Sequence, residues 1–288
     1  MTRMTLPVNG AERGFTPYDI GRTPATACRI DQRFSYCLYV PSRLVENPAG
    51  GRILAAVHGT DRGNQALRDL FIPYAEATGS IILAPLFPCG IGEPQERDNY
   101  KYIEYQGIRF DHLLLDMVAE VAARYGVDAG RFDLFGFSGG AHFAHRFLYL
   151  HPGRLRAVSV GAPGSPTLLD TGRLWWLGVA DMEQRFGVPL DLDAMRKVRV
   201  HLAVGSDDTD TWEITHTPGS RHWMEGANDA GATRVERLHT LAANLTDNGI
   251  DVQLDILDGF RHSRDALVGA AIAFLNGLAA EGGGDVST

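Results

Sequence analysis

The sequence predicts an α/β protein built on a mostly parallel, doubly wound sheet with helices on both faces. Two short, nearly continuous apolar runs, 52–57 (RILAAV) and 80–85 (SIILAP), have the character of parallel strands covered on both faces. Segments of helical spacing alternate with such runs along most of the chain. At 131–140 an apolar run turns directly into a helical stretch through a glycine-rich corner.

Taken in order, residues 1–30 have little periodicity and many turn formers, and read as an irregular lead-in. Residues 33–40 (RFSYCLYV) end at Pro41 and suit an early antiparallel strand, followed by a turn at 47–51. Residues 65–78 have helical spacing, with Pro73 expected to kink or split the helix. Residues 111–125 form an amphipathic helix with Leu114, Met117, Val118 and Val121 on one side. The strand 131–137 then feeds a helix, 140–151, that stops before Pro152. Strands follow at 156–161, 198–205 and 251–258. The last alternates Val252, Leu254 and Ile256 with polar residues, as an edge strand does. Residues 263–278 make the closing helix. A single domain over 31–280 is expected, with insertions or lid elements at 164–197 and 208–249, ahead of the seventh and eighth strands. The tail, 281–288, is expected to be disordered.

With 288 residues and 44% hydrophobic content the chain can bury a large core, and 22% charged residues argue against disorder. The net charge of −8 and the absence of any Lys/Arg run exclude a nucleic-acid partner. No apolar stretch is long enough to span a bilayer, and the first residues lack the apolar core of a signal peptide. A cytoplasmic location is the default expectation. Cys28, Cys37 and Cys89 lack metal-ligand spacing and read as reduced thiols. The composition is compatible with a homo-oligomer.

The corner at Gly136-Phe137-Ser138-Gly139-Gly140 matches G-x-S-x-G. A strand before it and a helix after it would hold Ser138 in a sharp turn next to the first amides of that helix, a setting suited to a developing oxyanion. The alternative is that Ser138 merely caps the helix. A nucleophilic serine needs a base and an orienting carboxylate. His262 follows the last strand through Gly259-Phe260-Arg261 and is the candidate base. The carboxylate falls in Gly205-Ser206-Asp207-Asp208, where Asp208 is favoured and Asp207 and Asp210 stay open. His142, His145, His201 and His239 lie within predicted helices or strands and read as structural. After the strand 52–57, His58-Gly59-Thr60 offers the Thr60 amide as an oxyanion donor beside that of Gly139.

Over residues 33–279 these pieces, in the order Ser, Asp, His, make the chain resemble the α/β-hydrolase superfamily, with the esterases and polyhydroxyalkanoate-depolymerase-like proteins nearest in character. The resemblance implies a Ser-Asp-His hydrolase acting on a small-molecule acyl substrate through an acyl-enzyme, with no cofactor or metal. An amidase, peptidase or acyltransferase would use the same residues, and a non-catalytic ligand binder is a reading of another class. The segment containing Trp212 and Trp223 is longer than a minimal member carries. Trp175, Trp176, Trp212 and Tyr102 are candidates for an aromatic pocket wall, or else pack the insertions' own core.

Overall fold

The computed structural model describes residues 5–8, 11–46 and 50–282. The chain divides into two compact units, residues 1–134 and 135–288, where the sequence suggests one domain over 31–280.

In the first unit, β1 (Thr5–Val8) and β2 (Ala11–Gly14) pair as an antiparallel ribbon. The short strands β3 (Gly21–Arg22) and β4 (Thr26–Ala27) both run antiparallel to β5 (Ser35–Val40). The segment read as an irregular lead-in is therefore partly strand. Its pieces are two to four residues long, too short for a period of two to show. The helix α1 (Ser42–Glu46) leads to residues 47–49, so the turn expected at 47–51 lies partly outside the described residues.

Next come β6 (Ile53–Val57), α2 (Asn64–Leu70), α3 (Ile72–Thr78) and β7 (Ile81–Leu86). β6 is parallel to β7, pairing Leu54 with Ile82, and β5 is antiparallel to β7, pairing Cys37 with Ala84. Every residue of β6 is buried, as its unbroken apolar run implies. Pro73 does split the predicted helix: it sits in the first turn of α3, where its missing N–H removes no hydrogen bond. A two-stranded hairpin, β8 (Glu104–Tyr105) with β9 (Ile108–Arg109), precedes α4 (Phe110–Tyr125). Phe34, Phe87 and Phe110 meet edge to face at centroid separations of 5.3–6.2 Å. His58 is buried beside them, its Nε2 accepting the Phe87 amide at 3.1 Å.

The unit boundary falls inside β10 (Phe132–Phe137). The second unit continues with α5 (Gly139–Leu150), β11 (Leu155–Gly161), α6 (Met182–Phe186), α7 (Leu192–Met195), β12 (Arg199–Gly205), α8 (Arg234–Asp247), β13 (Val252–Leu257) and α9 (Arg264–Gly282). Its strands run in the order β13-β12-β11-β10, with β11, β12 and β13 parallel in the register Ser159–His201–Gln253. β13 lies at the edge and has no fully buried residue.

Within 208–249, expected as an insertion or lid element, residues 234–247 form α8 between β12 and β13. The closing helix runs to Gly282 rather than ending before the tail, and residues 283–288 lie outside those described.

Among the described residues no helix is long and apolar enough to cross a membrane. Cys28, Cys37 and Cys89 are free thiols.

Three buried histidines serve the framework. Burial pushes His58 down to about 4, and burial also lowers His145 and His201. Each is neutral when folded and takes up a proton on unfolding once the pH drops below about 6.5, so acid favours the unfolded chain. Urea unfolding at pH 5 should give a stability at least about 2 kcal/mol below that at pH 7, the share of His58 alone. Equal stabilities at the two pH values would contradict these placements.

Candidate active site

Ser138 sits between β10 and α5 with φ 53° and ψ −111°, a strained conformation for a residue with a side chain. It is held there from both sides. Its amide donates to the Gly161 carbonyl at 2.8 Å, and its own carbonyl accepts the Ala141 and His142 amides at 3.0 and 3.2 Å. Gly136 has to be glycine, since a Cβ there would stand 2.1 Å from the Gly140 carbonyl oxygen. Ser138 occupies the N-cap position without a side-chain cap hydrogen bond, so the helix-cap alternative lacks its defining contact. The residue is 8% exposed. Gly139 opens α5, and its amide belongs to the helix-initial N–H groups that have no acceptor inside the helix.

The candidate acid and base lie on the loops after two neighbouring parallel strands. Asp208 follows β12 and His262 follows β13. The Nδ1–H of His262 donates to Asp208 Oδ2 at 2.6 Å. The loops are laced together beyond the strand ends. Ser206 N donates to the Leu257 carbonyl at 2.9 Å, Asp207 N to the Phe260 carbonyl at 2.9 Å, and Gly259 N to Ser206 Oγ at 2.9 Å. A Cβ on Gly205 would lie 2.1 Å from the Phe260 oxygen and 2.6 Å from that of Arg261, so only glycine admits this approach. The His262 ring stacks at a tilt on Phe137, the residue before Ser138, with centroids 4.8 Å apart.

Of the three aspartates left open, Asp208 alone is fully buried, at 1% exposure, and alone among the described contacts meets His262. Asp207 bonds to Ser206 Oγ, and Asp210 pairs with the exposed Arg261 at 3.0 Å. Burial pushes the Asp208 carboxyl up in pKa. The His262 bond and the Arg234 guanidinium, whose Nη1 donates to Oδ1 at 3.1 Å, outweigh that and leave it lowered, so it is an anion at neutral pH.

Arg234 and Glu213 were missed in the sequence. Arg234 stands at the start of α8, whose N-cap Thr233 accepts the Glu236 amide at 3.2 Å while Glu236 accepts the Ala232 amide at 2.6 Å. The T-x-x-E pattern at 233–236 announces that helix start. Nothing in the pattern announces that Arg234 meets Asp208.

The predicted pocket tryptophans differ in their surroundings. Trp175 is buried edge-on to Phe186 at 4.8 Å. Trp176 is buried against His216 at 4.9 Å and donates Nε1–H to the His222 carbonyl. Trp212 is 81% exposed. A groove of about 390 Å³ in this unit is lined by Arg173, Leu174, Leu177, Met224, Gly226 and Asp229, with none of the predicted tryptophans or triad residues on its wall. Thr60 and Tyr102 belong to the first unit: Thr60 follows β6, with Oγ1 buried and without a hydrogen-bond partner among the described residues, and Tyr102 is buried in a 3₁₀ turn.

The histidines of α5 are structural, as the sequence suggests. His142 Nε2 accepts the Gly164 and Ser165 amides at 2.6 and 3.0 Å, and His145 Nε2 accepts the Thr167 amide at 2.9 Å. Fully buried Arg146 donates to Thr167 Oγ1 and the Ser165 carbonyl, both at 2.8 Å.

No protein-family model and no curated protein matches the sequence. Solved structures do. The poly(3-hydroxybutyrate) depolymerase of Bordetella parapertussis superposes with a TM-score of 0.67 at 22% identity, over 84% of this chain and 83% of that one. Poly(aspartic acid) hydrolase-1 of Sphingomonas sp. KT-1 gives 0.64 at 20% identity, over 83% and 92%. An S-formylglutathione hydrolase of Agrobacterium tumefaciens gives 0.54 at 14%, over 84% and 88%. The chain has the α/β-hydrolase fold.

Gly205→Ala should lower the melting temperature, because the added Cβ drives the Asp208 and His262 loops apart. A variant that melts like wild type would show that the approach at Gly205 is dispensable.

Proposed function

We propose that the chain is a serine hydrolase that cleaves a carboxylic ester, or a related acyl bond, of a small molecule. The observation that carries this reading is the 2.6 Å bond between buried Asp208 and His262, whose ring rests on Phe137 beside the strained Ser138. The neighbours of like fold, a depolymerase of poly(3-hydroxybutyrate) and an S-formylglutathione hydrolase among them, support acyl cleavage in general.

With Nδ1 engaged by Asp208, the base is Nε2 of His262. It takes the Ser138 hydroxyl proton as Oγ bonds to the acyl carbon, and the carbonyl electron pair moves onto oxygen. The Gly139 amide at the positive end of α5 stabilises that oxyanion. Collapse expels the leaving group, which receives the proton from His262. Water then attacks the acyl-enzyme by the same route and frees the acid. Asp208 keeps the ring in the tautomer with hydrogen on Nδ1 and offsets the charge of the transient imidazolium.

A fluorophosphonate probe should label the protein and fail to label Ser138→Ala. With a p-nitrophenyl ester, Asp208→Asn should lower kcat by about 10⁴-fold, the scale seen when a triad acid becomes an amide and the histidine takes the wrong tautomer. Asp207→Asn and Asp210→Asn should stay near wild type, since Asp207 and Asp210 hold only local or surface contacts. Labelling of Ser138→Ala, or a large loss at Asp207 instead of Asp208, would overturn the assignment.

A further inference from the structure

Arg234 occupies an unfavourable place for a cation. It is the first residue of α8, where the helix dipole repels positive charge, and it is only 3% exposed. Burying a guanidinium there is costly unless carboxylates compensate for it. Two do, one on each terminal nitrogen. Nη1 donates to Asp208 Oδ1 at 3.1 Å and reaches the Asp210 carbonyl at 3.5 Å, while Nη2 donates to Glu213 Oε2 at 2.7 Å. Nε is buried with no hydrogen-bond partner among the described residues, so the group's placement serves Asp208 and Glu213 rather than its own full satisfaction.

We infer that Arg234 is a positioning residue for the Asp208–His262 pair: held by Glu213 on its other nitrogen, it fixes the Asp208 carboxylate so that Oδ2 meets His262 Nδ1. The assignment of a role in turnover rests on the serine hydrolase reading above; the effect on His262 does not.

Asp208 has two oxygens, and each is committed, Oδ2 to His262 and Oδ1 to Arg234. Rotation of the carboxylate would break both bonds, so the 2.6 Å contact is held at a set angle. Glu213 Oε2 holds Nη2 at 2.7 Å, so the guanidinium cannot swing away from Asp208 without losing a second carboxylate. The remaining charged groups around these loops are engaged elsewhere: Arg261 with Asp210 at 3.0 Å, Arg264 with Asp265 at 3.6 Å, and Asp207 with Ser206 Oγ at 2.9 Å.

The test follows the Nδ1–H proton of His262 by NMR in protein labelled with ¹⁵N-histidine, with His262→Gln to assign the signal, and needs no turnover. A short bond to a carboxylate should place that proton far downfield in the wild type. Arg234→Met should shift it upfield or lose it to exchange with water, and Arg234→Lys, which retains a donor, should return it toward wild type. Glu213→Gln should act like Arg234→Met by a smaller amount, since Glu213 holds the guanidinium and not the carboxylate. An unchanged signal in Arg234→Met overturns the inference. Where Arg234→Met does not fold, Glu213→Gln decides alone, and an unchanged signal there overturns it. Fluorophosphonate labelling of the same wild-type sample reports separately on the hydrolase reading, which fails if Ser138 stays unlabelled whatever His262 does.

Discussion

The close passage of one loop over another at Gly205 is the constraint on which the candidate site depends. β12 and β13 are adjacent and parallel, with Gly205 opposite Leu257. Strand spacing alone leaves two chain ends about 4.8 Å apart and diverging with the sheet's twist. A 2.6 Å bond between side chains on the two loops demands that they turn back toward each other. Gly259, at φ 72°, makes the turn after β13, and Gly205 offers a bare backbone for the Phe260 carbonyl to cross. The amides of Ser206 and Asp207 then extend the ladder past its regular end. Glycine here acts by what it leaves out, and the Asp208–His262 contact is the result.

Much of this was legible in the sequence because it rests on short-range rules. The apolar runs of β6 and β7, the split at Pro73 and the corner at Ser138 each follow from periodicity or from one residue's backbone preference. Asp208 could be favoured from position but not separated from Asp207 and Asp210. Their difference is burial, 1% for Asp208, and burial comes from Arg234 and the packing of α8, contacts made across 26 residues of chain.

The charged interior was not legible at all. Arg146, Arg234 and Arg237 are nearly or fully buried, against the usual tendency of arginine to stay in solvent. Arg237 illustrates why composition misleads: its nitrogens donate to the carbonyls of Gly231, Ile214 and Gly164 and to Asn228 Oδ1, supplying partners to irregular backbone that has no strand or helix to bond with. Long inserted loops carry many such unpaired carbonyls. A branched, multidentate donor satisfies several at once. The tryptophans of these loops are drawn into the same packing, Trp176 lying over both His216 and the Arg146 guanidinium.

The helix α5 has two loyalties. Its tip holds Ser138, and farther along the same helix His142, His145 and Arg146 grip residues 164–167. Anyone wishing to graft a different loop at 164–180 would strip those three side chains of the groups they bind, leaving a buried cation and two histidine acceptors bare inside the helix that follows Ser138. Loop and helix have to be exchanged as one cassette. Drift in this part of the protein is bound by the same rule, with changes in the loop and changes in α5 arriving together.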